Sequence, residues 1–364
     1  MKALRIHAGP AALAHIKAKG LNPQDISVIP GAAGGPKGLI LGPIDRYLFD
    51  QWLPRSNQPI DLVGASIGAW RMATACLPDP RAELLALEEA YVHQDYQLAP
   101  GQHRPTAQQV SDDFSANLHR FYDGRIHKVL QHSRYRLHVM TSHGRGILHR
   151  DTPVRTALGY AGAYLTNAIS RRAMGLWLER VVFSAPASGK PGASAAHLPF
   201  ATGDYRTRQI QLTATNFYSA LQASCSIPFV LRAVHDIPGA PPGAYWDGGI
   251  TDYHLHLDYA QAPRSDSNAG AGLVLYPHFQ KAVVPGWLDK SLKWRHGATD
   301  FLDNMLLLAP NPEWVQSLPK GKLPDRSDFN TYATDLPGRV KVWTQAVSAS
   351  EQLAEEFARW CESP

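Results

Sequence analysis

A Gly-x-Ser-x-Gly turn between an apolar run and a helix-forming run is the strongest constraint on how this chain can fold. The turn is formed by residues 64–68 (Gly-Ala-Ser-Ile-Gly), after the apolar residues 60–63 and before residues 69–75. Because Gly64 and Gly68 lack a Cβ, the strand and the helix can approach each other closely. A serine at the tip of such a turn, at a helix N-terminus, is typical of a nucleophile elbow. We therefore predict that Ser66 is a nucleophile.

The composition predicts a folded chain with a large core. Of the 364 residues, 44% are hydrophobic and 18% are charged, which excludes a disordered chain. The net charge is +5 and no dense block of like charge occurs, so we expect no nucleic acid partner. A moderately basic surface suits anionic lipid headgroups equally well, and transient contact with a membrane surface is consistent with it.

Cysteine usage and hydropathy indicate where such a chain would function. Its three cysteines form neither a disulfide framework nor a metal-binding cluster, which favours a reducing compartment, and we expect no metal and no cofactor. The N-terminal residues lack the apolar core of a signal peptide, and no stretch approaches the ~18 apolar residues of a membrane span. We expect a cytoplasmic protein, while the oligomeric state is not predicted.

Strand-like and helix-like segments alternate along the chain. This alternation predicts an α/β fold with a mainly parallel central sheet between helical layers. We expect one domain over residues 1–364, with a cap or insertion around 98–134 and a C-terminal extension after about residue 260. The predicted strands are residues 26–29, 60–63, 135–141, 181–183, 209–213, 272–276 and 339–343. The predicted helices are residues 39–49, 81–91, 216–223 and 350–360. Residues 301–308 are apolar enough to form a buried helix or part of an acyl-chain pocket.

A glycine-rich loop follows the first predicted strand at residues 31–38 (Gly-Ala-Ala-Gly-Gly-Pro-Lys-Gly). Its spacing fits neither a phosphate-binding loop nor a dinucleotide-binding loop. Gly34 and Gly35 offer uncluttered backbone N–H groups beside a helix start. Two such donors can bind the oxyanion of a tetrahedral intermediate, and each is worth about 2.7–4 kcal/mol in the transition state. A tight loop between strand and helix without this role is the alternative interpretation.

The serine needs a base, and two kinds of residue could provide it. The chain has 16 histidines, so composition alone cannot select one. Asp247 ends a short aromatic run and is followed by Gly248 and Gly249, which would let the loop pass close to the elbow. On its own, this sequence is equally typical of an ordinary Asp-Gly turn.

Four motifs taken together resemble the patatin-like phospholipases. Residues 34–38 resemble the oxyanion loop of that family, 64–68 its elbow, 223–228 its Ala-Ser-x-Ala-x-Pro segment and 247–249 its Asp-Gly-Gly motif. They occur in the family's order, although Ala33 replaces the first glycine of the loop and no family motif follows residue 250. The resemblance implies a three-layer α/β/α fold and a lipid acyl hydrolase with a Ser-Asp dyad.

The resemblance also implies a role for each motif residue. Ser66 would attack an ester carbonyl after Asp247 takes its proton, and the N–H groups of Gly34, Gly35 and Ile67 would hold the oxyanion. The supporting loop residues would be Lys37, Gly38, Gly64, Gly68, Gly248 and Gly249. The substrates would be phospholipids, lysophospholipids, glycerides or small esters. A carboxylate base predicts that activity does not fall between about pH 6 and 7, where a histidine base would protonate.

Two other functions stay open from the sequence. An esterase of the α/β-hydrolase type would use Ser66, Asp247 and a later histidine such as His278, an order that such enzymes allow. A non-catalytic lipid-binding protein on the same fold is the second alternative. His254 and His256 would share one face of a strand, but no third metal ligand is evident. Residues 287–295, if helical, would suit either a membrane interface or core packing.

Overall fold

The computed structural model describes residues 1–98, 101–102, 104–188, 193–261 and 272–362. The protein is a mixed α/β structure built on one sheet, in which ten strands lie within the described residues. The strands are β1 (Leu4–Ala8), β2 (Ile26–Gly31), β3 (Ile60–Ala65), β4 (Tyr135–Gly144), β5 (Leu178–Ser184), β6 (Thr207–Gln211), β7 (Val234–His235), β8 (Ala244–Asp247), β9 (Leu273–Pro277) and β10 (Met305–Pro310).

The sheet has a parallel centre with antiparallel neighbours. Its main order is β1-β10-β9-β2-β3-β4-β5-β6, and the strands from β10 to β4 are all parallel to one another. The central strands are continuous apolar runs such as Leu306–Leu308, which are typical of strands covered on both faces. The predicted α/β class with a mainly parallel sheet is therefore confirmed.

Strand β4 brings two distant parts of the chain together. The first half of β4 pairs with β3 in parallel, and Ala65 lies opposite Met140. The second half pairs with β8 in antiparallel fashion, and Asp247 lies opposite Thr141. Since β5 occupies the other edge of β4, β3 and β8 share the same edge and run towards each other. Their C-terminal ends therefore meet at one point of β4.

Thirteen α-helices are present in the described residues. They are α1 (Pro10–Lys19), α2 (Gly42–Tyr47), α3 (Ile67–Thr74), α4 (Pro80–Val92), α5 (Ala107–Tyr122), α6 (Ile126–Leu130), α7 (Pro153–Ile169), α8 (Phe217–Cys225), α9 (Gly249–Asp252), α10 (Pro312–Ser317), α11 (Ser327–Thr331), α12 (Leu336–Ala349) and α13 (Glu351–Glu362). Short 3-10 segments and one π-helical turn, Leu48–Trp52, connect several of them. None of the described helices has the length and hydropathy to cross a membrane.

One predicted strand is a helix. Residues 339–343 lie inside α12, whose N-terminus is capped by the Asp335 side chain accepting from the Gly338 N–H. The alternation of apolar residues suggested a strand, but the buried positions Arg339, Trp343, Ala346 and Val347 recur every three to four residues. This period places them on one helix face, so the local alternation was misleading.

Two segments considered as helices are not α-helical. Residues 301–308 contain a 3-10 turn followed by β10, because a short apolar run is as compatible with a buried strand as with a buried helix. Residues 287–295 contain only the two 3-10 turns Trp287–Asp289 and Lys293–Arg295. The predicted helix at 350–360 is confirmed as α13.

The segments expected as insertion and extension are structured parts of the fold. Residues 98–134 contain α5 and α6, while residues 99–100 and 103 lie outside the described residues. The apolar residues Val110, Phe114, Leu118 and Phe121 of α5 follow a helical period that polar neighbours obscured. The chain after residue 260 supplies β9 and β10, and β9 lies between β10 and β2. It is therefore integral to the sheet and is not an extension.

A buried ion pair fixes α2 against α3. Arg71 Nε and Nη2 of α3 donate to the two carboxylate oxygens of Asp45 in α2, at 2.7 and 2.8 Å. Both side chains are almost fully buried. The helix after the glycine-rich loop is therefore tied to the helix after the Gly-x-Ser-x-Gly turn.

Loss of the Asp45 charge is expected to destabilise the protein strongly. Asp45→Asn leaves the buried Arg71 guanidinium without its counter-charge, and we expect the free energy of unfolding to fall by about 3–5 kcal/mol. Urea unfolding measures this. Asp50→Asn is the matched control, because Asp50 faces Arg81 at 3.8 Å on the surface; its cost should stay below about 1 kcal/mol. Equal costs for the two variants would contradict the prediction.

Candidate active site

Ser66 sits at a strained turn between β3 and α3. Its backbone has φ 56° and ψ −131°, a conformation that non-glycine residues rarely adopt and that often marks a functional site. The turn is possible because its neighbours are small: a Cβ on Gly68 would lie 1.8 Å from the carbonyl oxygen of Gly31, and one on Gly64 would lie 2.3 Å from the Cα of Ala69. The close approach of Gly68 to Gly31 and of Gly64 to Ala69 holds Ser66 at the end of the central strands.

The Ser66 hydroxyl donates a hydrogen bond to Asp247. The distance from Ser66 Oγ to Asp247 Oδ2 is 2.7 Å, and both residues are about 95% buried, with exposures of 4% and 5%. The other carboxylate oxygen, Oδ1, accepts from the Gly249 N–H at 2.7 Å. The meeting of β3 and β8 on β4 thus produces a hydroxyl–carboxylate pair with a fixed geometry.

The C-terminal end of α8 and the residue that follows the helix hold both members of this pair in place. Ser224 Oγ accepts the Ser66 N–H at 3.0 Å, and its carbonyl oxygen accepts the Gly248 N–H at 3.1 Å. The carbonyl of Ser226 accepts the Asp247 N–H at 2.9 Å. One short stretch of chain therefore sets the spacing between the two strand ends.

Burial changes the acidity of Asp247. Desolvation is the largest influence and raises the pKa of its carboxyl from 3.8 to about 6. The positive charge of Arg326, the hydrogen bond from Ser66 and the hydrogen bond from Gly249 act in the opposite direction. The carboxylate is consequently a stronger base than an exposed aspartate and is still mostly ionised at pH 7.

The glycine-rich loop packs beside the pair. Its Ala33 N–H donates to the carbonyl of Tyr253 at 3.0 Å, and Ala33 lies against Gly249, where a Cβ would be 2.5 Å away from the Ala33 methyl. A Cβ on Gly248 would lie 2.1 Å from the carbonyl oxygen of Met140 on β4. The loop, the elbow and the Asp-Gly-Gly turn are therefore in mutual van der Waals contact.

The other loop residues have distinct surroundings. Gly35 has φ 56°, which favours glycine, and Gly34 lies against the ring of Phe279. Lys37 places Nζ 5.7 Å from the centroid of the same ring, and burial lowers its pKa. Gly38 faces the Ile67 side chain.

Three backbone N–H groups near Ser66 have no acceptor among the described residues. They belong to Gly34 and Gly35 of the loop and to Ile67, the first residue of α3. Unsatisfied donors at helix starts favour negative charge. Gly35 and Ile67 line the same cavity as Ser66, whereas Gly34 is not among the residues lining it.

A cavity of about 580 Å³ opens onto Ser66. Its apolar wall comes from α3, α5 and the chain after α8, and its polar wall comes from residues near α11 and α12. The apolar lining includes Trp70, Val110, Phe114, Ile227, Leu231 and Leu336. The basic lining residues are Arg104, Arg326 and Arg339. This combination suits a ligand with an apolar chain and a polar or anionic end.

Sequence reasoning missed Arg326. It lines the cavity, and its Nε would lie 3.2 Å from a Cβ on Gly35. It comes from the C-terminal third, where no motif marks it, and only the fold brings it to the loop. The apolar wall from α5 was missed for a similar reason, since its helical period was hidden among polar residues.

The histidines singled out from the sequence lie away from the Ser66–Asp247 pair. His278 is fully buried; its Nδ1 contacts the backbone of Gln280, and burial lowers its pKa to about 3. Within the described residues no histidine is hydrogen-bonded to Ser66 or Asp247.

The two histidines considered for a metal do not converge on one point. His254 contacts the backbone of Ala282 and Val284 through Nδ1. His256 contacts Thr299 Oγ1 through Nε2 at 2.7 Å. Neither residue lies in a strand. The arrangement expected from the sequence is therefore wrong, and the described part of the chain contains no cluster of three potential metal ligands.

No family model and no curated protein matched the chain when it was compared with them. The functional interpretation therefore depends on the geometry of the Ser66–Asp247 pair and on the motif resemblance. That geometry combines a buried carboxylate, a serine in a strained conformation and the N–H groups of Gly35 and Ile67, which have no acceptor among the described residues and line the same cavity as Ser66.

Removing the Ser224 hydroxyl should destabilise the protein measurably. Ser224→Ala leaves the buried Ser66 N–H without an acceptor, which is expected to cost about 1–3 kcal/mol in unfolding free energy. Ser226→Ala is the matched control, because its hydroxyl instead donates to the Gln222 carbonyl at the end of α8. Urea unfolding should give the larger loss for Ser224→Ala. A smaller loss than in the control would mean that this bond does not stabilise the turn.

Proposed function

We propose that the protein is a serine acyl hydrolase of the patatin type that cleaves carboxylic esters of lipids. The main support for this proposal is the 2.7 Å hydrogen bond from Ser66 to the buried Asp247. Ser66 lies at a strained turn and lines a cavity. The α/β fold with a mainly parallel sheet agrees with the three-layer patatin-like arrangement that the motifs imply.

The first half of the reaction forms an acyl-enzyme. Ser66 Oγ attacks the ester carbonyl carbon while its proton passes to Asp247 Oδ2. The resulting oxyanion accepts hydrogen bonds from the N–H groups of the glycine-rich loop and Ile67, which have no acceptor among the described residues. Collapse of the intermediate breaks the ester C–O bond, and the protonated Asp247 gives its proton to the departing alkoxide.

The second half regenerates the enzyme. A water molecule takes the place of the alcohol and loses a proton to Asp247 as its oxygen attacks the acyl carbon. The second tetrahedral intermediate expels Ser66 Oγ, which recovers the proton from Asp247. The carboxylic acid is released and both side chains return to their starting states.

The cavity supports an ester with an apolar acyl chain. Trp70, Val110 and Phe114 supply apolar surface close to Ser66. Arg326 and Arg339 line the same cavity and could face a polar or anionic alcohol portion. Phospholipids, lysophospholipids and glycerides share this division into an apolar and a polar part, and the cavity alone does not choose between them.

Both members of the pair should be required for turnover. Hydrolysis of a medium-chain nitrophenyl ester is expected to fall by about 10²–10⁴-fold in Asp247→Asn and by more in Ser66→Ala. A fluorophosphonate probe should label the wild type at Ser66 and leave Ser66→Ala unlabelled.

Two results would contradict this expectation. An inert wild type that fails to react with the probe would favour the non-catalytic lipid-binding alternative. An active Asp247→Asn variant would indicate another base, and His278→Ala would then test the Ser-Asp-His alternative. Asn is nearly isosteric with Asp, so circular dichroism should show that Asp247→Asn stays folded.

The pH dependence of kcat/KM should reflect the ionisation of the buried Asp247 carboxylate. Because Asp247 must be ionised to accept a proton, kcat/KM should fall tenfold per pH unit below about 6, to about a tenth of its plateau at pH 5. The sequence alone predicted no fall between about pH 6 and 7. Because burial raises the pKa of Asp247 to about 6, we expect kcat/KM to decline from about pH 6 downwards. A midpoint near pH 4 would contradict the assignment of Asp247 as the base.

Arg326 should set the position of this acid limb. Its positive charge lowers the pKa of Asp247, so Arg326→Gln is expected to shift the midpoint of kcat/KM to higher pH. Arg104→Gln is the matched control, since Arg104 lines the cavity but is not among the groups that shift Asp247. A midpoint that stays unchanged in Arg326→Gln would show that the acid limb belongs to another group.

A further inference from the structure

Helix α7 exposes an apolar face. Val154, Leu158, Leu165 and Ile169 have exposures of 69%, 61%, 65% and 86%. Their spacing of four, seven and four residues places them on one side of the helix. Arg155 is the one charged residue in its 17 residues. Large apolar side chains exposed together in this way usually mark an interaction site.

The rest of α7 is packed tightly against the protein. The apolar face is therefore not exposed because the helix is loosely attached. Tyr160 meets the buried Trp246 edge-on with ring centroids 5.9 Å apart. A Cβ on Gly159 would lie 2.4 Å from the Leu148 side chain, and one on Gly162 would lie 2.4 Å from Trp177. The helix therefore presents its apolar face on a rigid support.

Neighbouring segments extend this face. Leu176, in the 3-10 segment that follows α7, is 69% exposed, and Trp294 is 71% exposed. The segment with Trp294 is joined to α7 by the hydrogen bond between Tyr164 and Ser291 at 3.0 Å. We call this set the α7 face. Its members are Val154, Leu158, Leu165, Ile169, Leu176 and Trp294.

The charges around the α7 face are mostly positive. Residues 145–177 contain one acidic residue, Asp151, which pairs with Arg232 at 3.3 Å. The one acidic residue at 287–295 is Asp289, which is buried and paired with Arg171 and Arg295. Besides the paired Arg171 and Arg295, the arginines and lysines of the two stretches are Arg145, Arg150, Arg155, Arg172, Lys290 and Lys293.

We propose that the α7 face is a docking surface for membranes that contain anionic phospholipids. Exposed leucine, isoleucine and tryptophan side chains with a basic surround are the features that bind the headgroup region of such membranes. A second copy of this chain is the less favourable occupant, because two basic surrounds would be brought together. This proposal concerns binding and is independent of the proposed catalytic function.

The face is connected to the entrance of the cavity. Phe229 and Val230 line the cavity and are 64% and 46% exposed. Two residues beyond Val230, Arg232 pairs with Asp151, which lies two residues before α7. A membrane bound to the α7 face would therefore lie beside the chain segment that borders the cavity.

The test is co-sedimentation of the full chain with vesicles. The wild type should bind phosphatidylcholine–phosphatidylserine vesicles more tightly than phosphatidylcholine vesicles. Leu158→Glu/Leu165→Glu should weaken this binding by about tenfold or more, since it replaces two apolar contacts with negative charges. Salt at about 1 M should also weaken it, because the screening length falls to about 3 Å.

The matched control is Leu13→Glu/Leu85→Glu, at two leucines that are 42% and 40% exposed but lie on α1 and α4. Its binding should stay within about twofold of wild type. Wild-type protein that does not sediment with anionic vesicles would overturn the proposal, as would equal losses in both double variants. A dimer in sedimentation velocity that only Leu158→Glu/Leu165→Glu dissociates would identify a second copy as the occupant and also overturn it.

The binding result is separable from catalysis. Ser66→Ala should bind vesicles as the wild type does. Leu158→Glu/Leu165→Glu should keep wild-type turnover of a short water-soluble nitrophenyl ester, which also shows that it is folded. Vesicle binding without any ester turnover would refute the proposed function and leave the docking surface intact.

Discussion

The structure depends on the shared edge of β4. Two strands pair with consecutive halves of one edge and run towards each other, so that Ser66 and Asp247, 181 residues apart in the chain, end at the same point. Backbone hydrogen bonds fix the register on both sides, and Ser224 ties the two ends together. The position of a side-chain pair is thereby determined by sheet pairing, which is among the most rigid constraints in a protein.

The local parts of this arrangement could be predicted from the sequence, whereas the long-range parts could not. The elbow at Ser66 has a strand, two glycines and a helix in immediate succession, so neighbouring residues dictate its shape. Asp247 is followed by glycines, but only the order of the four motifs suggested that it meets Ser66. Arg326 has no local signal, because its place beside the loop results from how α11 packs. The strand predicted at residues 339–343 failed for a related reason: the cap at Asp335 and burial at every third to fourth residue outweigh local alternation.

Burial of Asp247 has opposite effects on stability and on the proposed chemistry. An ionised carboxylate away from water is unfavourable, and this raises its pKa and makes it a better proton acceptor. The fold retains it through the Gly249 N–H, the Ser66 hydroxyl and the charge of Arg326. Strain at Ser66, with φ 56°, is a second unfavourable term at the same place. Several unfavourable contributions to folding at one place, such as a buried charge and a strained backbone, are characteristic of functional sites.

The position of β9 and β10 has a consequence for how the chain acquires its structure. These strands come late in the sequence, yet β9 lies beside β2, and β10 pairs with the N-terminal β1. During synthesis, β2 has no partner on this side until more than two hundred further residues have emerged, so the nascent sheet has an open parallel edge that invites aggregation. Contacts of such long range also slow folding. The pair formed by Ser66 and Asp247 depends on β3, β4 and β8, so it cannot form before residue 247 has left the ribosome.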